Sequence, residues 1–230
     1  MQQLDKNIWI VEGETVSFYS FPFSTRMTIV RLDDGRLWIH SPIRISDDLQ
    51  YQIDQLGSVA FLVAPNHLHH LFLREWQIAY PSAMTLGTQQ VINKRKDLNF
   101  DRVLDSNTSL PWGESLAHRF FTGSSAMQES VFLHHASGTL IVTDLIENFE
   151  PSKLTPFQRR IGKLVGIVAP NGKMPIDWCL TFSFNKREAR EHIKAILAWQ
   201  PKRIVMSHGN IVEQQAEQFL TRSFSWLNPL

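Results

Sequence analysis

The sequence predicts an α/β protein built from two facing sheets with helices on the outside. Three observations lead there. A β-rich segment followed by alternating strands and helices occurs twice along the chain. Apolar runs such as Val59–Ala64 and residues 203–206 have the length and β-branched content of buried strands. Histidine and aspartate residues stand where those runs end, and the carboxyl ends of strands are where α/β proteins build their sites. Two sheets packed face to face under outer helices would bury this pattern.

The elements follow in order. Residues 7–11, 15–21, 26–32 and 36–40 are rich in β-branched and aromatic residues and read as a meander, punctuated by Gly13, Pro22 and the Asp33-Asp34-Gly35 turn. Asp34-Gly35 between two such runs is a hairpin signal. Ser46 is placed to cap a helix carrying Leu49, Ile53 and Leu56, which Gly57 ends. A strand over Val59–Ala64, a helix over 69–80, a strand over 83–86 and a helix over 88–96 complete the first half. The β pattern returns over 116–121, 130–134 and 139–143, with Ser137-Gly138 as a turn. Helices over 156–165, 185–199 and 212–226 and a strand over 203–206 close the chain. The seam falls in the polar stretch 105–112, so residues 1–230 read as one domain of two duplicated halves, about 1–110 and 111–230.

The chain has 230 residues, 43 % hydrophobic and 20 % charged, enough to bury a substantial core. Its net charge of +1 gives no overall pull toward nucleic acid or an acidic membrane, so neither is expected as a partner. No apolar stretch reaches the roughly 20 residues that span a bilayer. The single cysteine, Cys179, cannot form an internal disulfide, and the first residues carry no basic-then-apolar leader. Both features point to the cytoplasm. Phosphate-binding loops, dinucleotide-binding glycine patterns, serine elbows and paired cysteines are all missing.

What remains is a histidine-rich constellation. His67-Leu68-His69-His70 follows Val59–Ala64, Asp144 follows Leu140-Ile141-Val142-Thr143, and His208 follows Arg203-Ile204-Val205-Met206-Ser207. Neutral imidazole and carboxylate are ligands for zinc and similar divalent ions. Glu129 is a candidate acid/base group, and His40 could bond to a ligand.

The order of elements and the ligands at strand ends resemble the metallo-β-lactamase fold, and the chain is most similar to its DUF4336 branch. The likeness rests on Asn7-Ile8-Trp9, Phe18-Tyr19-Ser20-Phe21-Pro22, Arg26-Met27-Thr28, Trp38-Ile39-His40-Ser41-Pro42, Pro65-Asn66, His69-His70-Leu71-Phe72-Leu73, Thr143-Asp144-Leu145 and Ser207-His208-Gly209. It implies a four-layer αββα sandwich. The superfamily loop motif His-x-His-x-Asp-His is incomplete here: Pro65 stands at the first His, His67 at the second, His69 at the Asp and His70 at the last His. Ser124 stands where a middle His is expected.

The resemblance therefore implies a depleted three-histidine site and one surviving site formed by His69, His70, Asp144 and His208. It would hold one divalent metal: zinc first, iron or manganese as alternatives. Two readings stay open. One is a metal-dependent hydrolase-like enzyme acting on a small ester, thioester or amide, with Glu129 or His67 moving protons. The other is a catalytically inactive protein that binds a small molecule or a protein at the old cleft, with or without metal. The substrate and the oligomeric state cannot be read from the sequence.

Overall fold

The computed structural model describes residues 1–18 and 21–228. Tyr19 and Ser20 of the Phe18–Pro22 hallmark lie outside the described residues. The first sheet holds seven strands in chain order: β1 (Gln2–Asp5), β2 (Ile8–Phe18), β3 (Phe21–Arg31), β4 (Leu37–His40), β5 (Val59–Ala64), β6 (Met84–Gly87) and β7 (Arg102–Val103). β1 to β4 are antiparallel neighbours, and β4 to β7 run parallel. The helices α1 (Asp47–Asp54), α2 (Leu73–Ala79) and α3 (Gln89–Lys94) lie between the parallel strands in sequence. The second sheet contains β8 (Leu116–Phe121), β9 (Glu129–His134), β10 (Thr139–Ile141) and β11 (Arg203–Val205), in the order β11-β10-β9-β8, with β10 and β11 parallel. Four helices accompany it: α4 (Pro156–Val165), α5 (Ile176–Thr181), α6 (Lys186–Leu197) and α7 (Ala216–Ser223).

Alternation along the strands shows why this is a four-layer sandwich. Successive side chains of a strand point to opposite faces. In the first sheet Ile29, Ile39 and Leu62 pack outward against Ile53 of α1 and Trp76 of α2. Their neighbours Val30, Trp38 and Phe61 point inward, where they meet Phe132 and Ile141 of the second sheet. From there Val131 and Leu140 turn outward again, onto Ile193 of α6 and Phe219 of α7. Both sheets are apolar on both faces, so each needs a partner layer on either side.

Local signals explain most element boundaries. Ser46 accepts the Leu49 N–H at 3.2 Å and starts α1. Thr155 and Gln158 form a reciprocal capping box on α4. The Asp34-Gly35 turn joins β3 to β4, with the Gly35 N–H donated to Leu32. Gly13 does not end a strand: residues 8–18 form one strand whose register shifts between Glu12 and Thr15. A Cβ at Gly13 would lie 2.3 Å from Thr25 Oγ1, so the close pass at that irregularity requires glycine. The helix expected over 69–80 starts only at Leu73, because residues 67–72 form tight turns. α5 and the short strands β1 and β7 carried no signal strong enough to be read. His192 faces inward from α6, where its Nδ1 accepts from Arg119 at 3.1 Å.

Candidate metal centre

Two pairs of parallel strands, one pair from each sheet, deliver the site. β4 leads into Ser41, β5 into the Pro65–His70 turn, β10 into Thr143-Asp144, and β11 into Ser207-His208. At their carboxyl ends His69, Asp144 and His208 converge, each offering one ligand atom within 4.8 Å of the others. His69 Nε2 lies 3.1 Å from Asp144 Oδ2, and His208 Nε2 lies 3.0 Å from Asp144 Oδ1. All three side chains are buried.

The outer nitrogens of the two rings decide what the inner ones can do. His208 Nδ1 lies 2.7 Å from the carbonyl oxygen of Ser24, which can only accept. Nδ1 therefore carries the proton, and in a neutral ring Nε2 presents a lone pair toward the Asp144 carboxylate. Two acceptors 3.0 Å apart need a cation between them: a second ring proton or a metal. His69 Nδ1 is fixed by Ser41 Oγ at 2.6 Å, and Ser41 adopts a left-handed backbone, φ +53°. Burial pushes the Asp144 carboxyl up, but His69 and His208 beside it more than offset this and hold it well below the ordinary carboxylate range. Two nitrogens and one carboxylate oxygen form the three-ligand set of an open divalent-metal site, so these residues fit such an ion.

A second ring of contacts holds the ligands. Buried Asn66 places its amide nitrogen 2.6 Å from Asp144 Oδ2 and accepts the Leu68 and His69 N–H groups on its oxygen, at 2.8 and 3.1 Å. It thus aligns two ligands at once. Arg26 on β3, itself buried, donates to the carbonyl oxygens of Met206 and Gly209 on either side of His208, the latter at 2.7 Å. Gly209 has φ +92°, and a Cβ there would sit 2.0 Å from Asn148 O, so no other residue fits beside His208.

Other expected residues lie elsewhere. Glu129, read as an acid/base group, is fully buried, and its carboxylate accepts the N–H groups of Thr143, Asp144 and Leu145 at 2.6, 2.8 and 3.2 Å. It anchors the Asp144 turn and does not line the cavity. His70, read as a ligand, stands outside the converging group. Arg95 approaches its Nδ1 at 2.9 Å, and a guanidinium only donates. The Nδ1 lone pair is thereby used, and in the neutral ring the proton sits on Nε2, which is buried without a partner. Burial, then Lys94 and Arg95, push the His70 pKa down to about 4.

His67 also lies outside the group: the structure brings it neither to the converging ligands nor to the cavity wall. The Ser124 oxygen caps a turn, accepting from Ala126 and Met127 at 3.1 Å each. His40 stacks on Trp38 with Nε2 unpartnered, and it is the adjacent Ser41 that reaches a ligand.

A cavity of about 630 Å³ opens over His69, Asp144 and His208. Its walls are mainly apolar, from Phe23, Leu68, Phe72, Ile161 and Trp178, with Glu147 and Asp177 as carboxylates. Glu147 is buried. Burial, then the charges of Asp144 and Asp177, push its pKa well above the ordinary value. Its position three residues after Asp144 was the signal that sequence reasoning passed over.

Fold and site together define a protein of metallo-β-lactamase-like fold with a His/Asp group able to hold a divalent metal. The chain belongs to DUF4336, described as a domain of unknown function, which matches residues 5–159. In structure it is similar to the DIM-1 metallo-β-lactamase exposed to ceftazidime: 15 % identity, TM-score 0.67, 99 % of this chain and 95 % of that one. It is also similar to a metallo-β-lactamase from Pontibacter korlensis, at 14 % identity and TM-score 0.63 over 99 % and 97 % of the two chains. The mono-zinc form of FIM-1 from Pseudomonas aeruginosa matches at 11 % identity and TM-score 0.63, over 99 % and 93 %. At these identities the likeness is one of fold. No curated protein matches the sequence.

Proposed function

We propose that the protein is a metal-dependent hydrolase with a mononuclear site, in which His69, Asp144 and His208 hold one zinc ion and the substrate is a small ester, thioester or amide. One observation carries this reading. The only proton of neutral His208 is committed to Ser24, and the lone pair that is left faces a buried carboxylate at 3.0 Å. A divalent cation resolves that contact and is a natural ion for this donor set. Once bound, it supplies Lewis acidity toward a carbonyl oxygen and acidifies water.

The chain's own residues supply the rest. Asn66, Ser41 and Arg26 fix the ligand geometry. The apolar cavity wall excludes water around a bound acyl group. Glu147 lines the cavity, and burial together with the charges of Asp144 and Asp177 raises its pKa above the ordinary carboxyl value, so it is the group placed to pass a proton from its carboxyl to a departing alkoxide, thiolate or amine. Pro65 and Ser124 bring no imidazole, so a second tightly held metal is not part of the proposal.

The test is metal content per chain after purification without chelator, followed by hydrolysis assays on ester, thioester and amide panels. The expected result is one metal per chain, lost in His208→Ala, with metal-dependent turnover that falls in Glu147→Gln. A chain that stays metal-free under zinc-replete conditions would overturn this reading in favour of an inactive binding protein.

A further inference from the structure

The surface around α4 and α5 differs from the rest of the protein. Among the described residues nine large hydrophobic side chains are exposed, and five of them fall within residues 151–187: Phe157, Leu164, Ile176, Leu180 and Phe184, between 48 % and 99 % exposed. Amphipathic helices ordinarily turn their apolar stripe toward the core. α4 does not. Phe157, Ile161 and Leu164 follow the i, i+4, i+7 spacing of one face, yet the only buried residue of the helix is Gly162, which packs against Val168. The capping box, Pro156 and the left-handed Gly166 fix the helix at both ends without core burial of that stripe.

This patch runs into the cavity over the candidate metal centre. Ile161 and Val165 of α4 line the cavity between the exposed positions of the same helix. Ile176 and Leu71 are exposed and line it as well.

The same segment concentrates positive charge. Residues 151–187 hold seven of the 23 Lys and Arg residues and a single carboxylate, Asp177. The segment is therefore net +6 in a chain of net +1, which leaves −5 for the remainder. The bordering carboxylates are hydrogen-bonded, Glu150 to Asn210 and Glu188 to Thr122. Whole-chain charge, on which the expectation of no membrane partner rested, averages this asymmetry away.

We propose that the face formed by α4, α5 and the turn into α6 adsorbs to an anionic lipid bilayer, with Phe157, Leu164 and Phe184 entering the headgroup–acyl boundary and Arg160 and Lys163 meeting lipid phosphates. An apolar helix stripe flanked by cations is the composition of interfacial helices. A second copy of the chain is the poorer occupant, because a twofold contact across this face sets net +6 against net +6. Adsorption opens the cavity toward apolar-tailed molecules in the lipid surface. It does not depend on whether His69, Asp144 and His208 carry a metal.

The test is co-sedimentation of the full chain with vesicles of phosphatidylglycerol and phosphatidylcholine in equal parts, against phosphatidylcholine alone. The chain is expected to partition into the anionic vesicles and to be released as ionic strength rises. Arg160→Gln and Lys163→Gln should each weaken partitioning about five-fold. The triple change Phe157→Ser, Leu164→Ser, Phe184→Ser should weaken it on the order of 100-fold. Tyr51→Ser, exposed on α1, should not change it. Circular dichroism and the thermal midpoint check that the variants fold, since every altered side chain is exposed. Absence of binding to anionic vesicles, or binding that the triple change leaves intact, overturns the proposal. So does a lipid-free dimer that the triple change dissociates, which would assign the face to self-association.

Discussion

Arg26 donates to the carbonyl oxygen of Gly209 at 2.7 Å, reaching across 183 residues to hold the turn that carries His208. A second donation, to Met206, fixes the other side of the same turn, while Glu12 orients the guanidinium at 2.7 Å. The His208 imidazole is therefore held in one orientation, with its ring also bonded to Ser24 on the same strand as Arg26.

Arg26→Gln removes this clamp and leaves all three converging side chains in place. Metal affinity should fall about 10- to 100-fold, the usual effect of losing a contact that orients a ligand. Competition with a chromophoric chelator measures it. Unchanged affinity would show that Ser24 alone positions the imidazole.

His70 and His69 are adjacent, yet Arg95 separates their chemistry. Because Arg95 already occupies the His70 Nδ1 lone pair, His70→Gln, which can accept the same donation, should change metal affinity by no more than about three-fold. His69→Ala should abolish stoichiometric binding. Elemental analysis of the two variants side by side decides it, and equal loss in both would return His70 to the ligand set.

The legible part of the site was the part encoded locally. His69, Asp144 and His208 stand just beyond strands whose apolar runs are visible in sequence, so residue type and position pointed the same way. The illegible part depends on partners far along the chain. Asn66 meets Asp144 across 78 residues, and the proton position on His70 is set by Arg95, 25 residues away. Glu129 looked like a free carboxylate because nothing near it in sequence reveals the three backbone N–H groups that surround it. The fold was more open to reading. Period-two alternation and turn residues located nearly every strand, while Gly13 misled because a glycine at a register shift and a glycine at a turn look alike.

Glu129→Gln tests that anchoring role. An amide there would turn a donor toward N–H groups that now reach a carboxylate, at a fully buried position. The variant should lose about 2 kcal/mol of stability, the scale for leaving buried hydrogen-bonding groups unsatisfied. Urea unfolding with an unchanged denaturant slope measures it. A shift below about 0.5 kcal/mol would mean that the Asp144 turn holds itself.

Acid should destabilise the fold through its buried histidines. Burial pushes His118 down from 6.5 to about 4, with Asp105 opposing and Arg119 assisting, and burial likewise lowers His40 and His134. In the unfolded chain these rings take up protons near pH 6.5, whereas the folded chain refuses them until lower pH. The unfolded state thus binds more protons across this window, and stability rises with pH there. The contribution of His118 is fully present above about pH 7 and is lost as pH falls from about 6.5 toward 4. It amounts to at most about 3 kcal/mol. His118 bonds Ser130 at 3.1 Å and lies against Phe132, outside the His69, Asp144 and His208 group, so His118→Gln isolates this effect. Urea unfolding of the two proteins at pH 7.5, 5.5 and 4.5, chosen to bracket the titration, should show the variant less stable than the parent at the highest pH and closer to it at the lowest. Parallel pH profiles would mean that His118 gains its proton equally in both states, and that the acid sensitivity resides in His40 and His134.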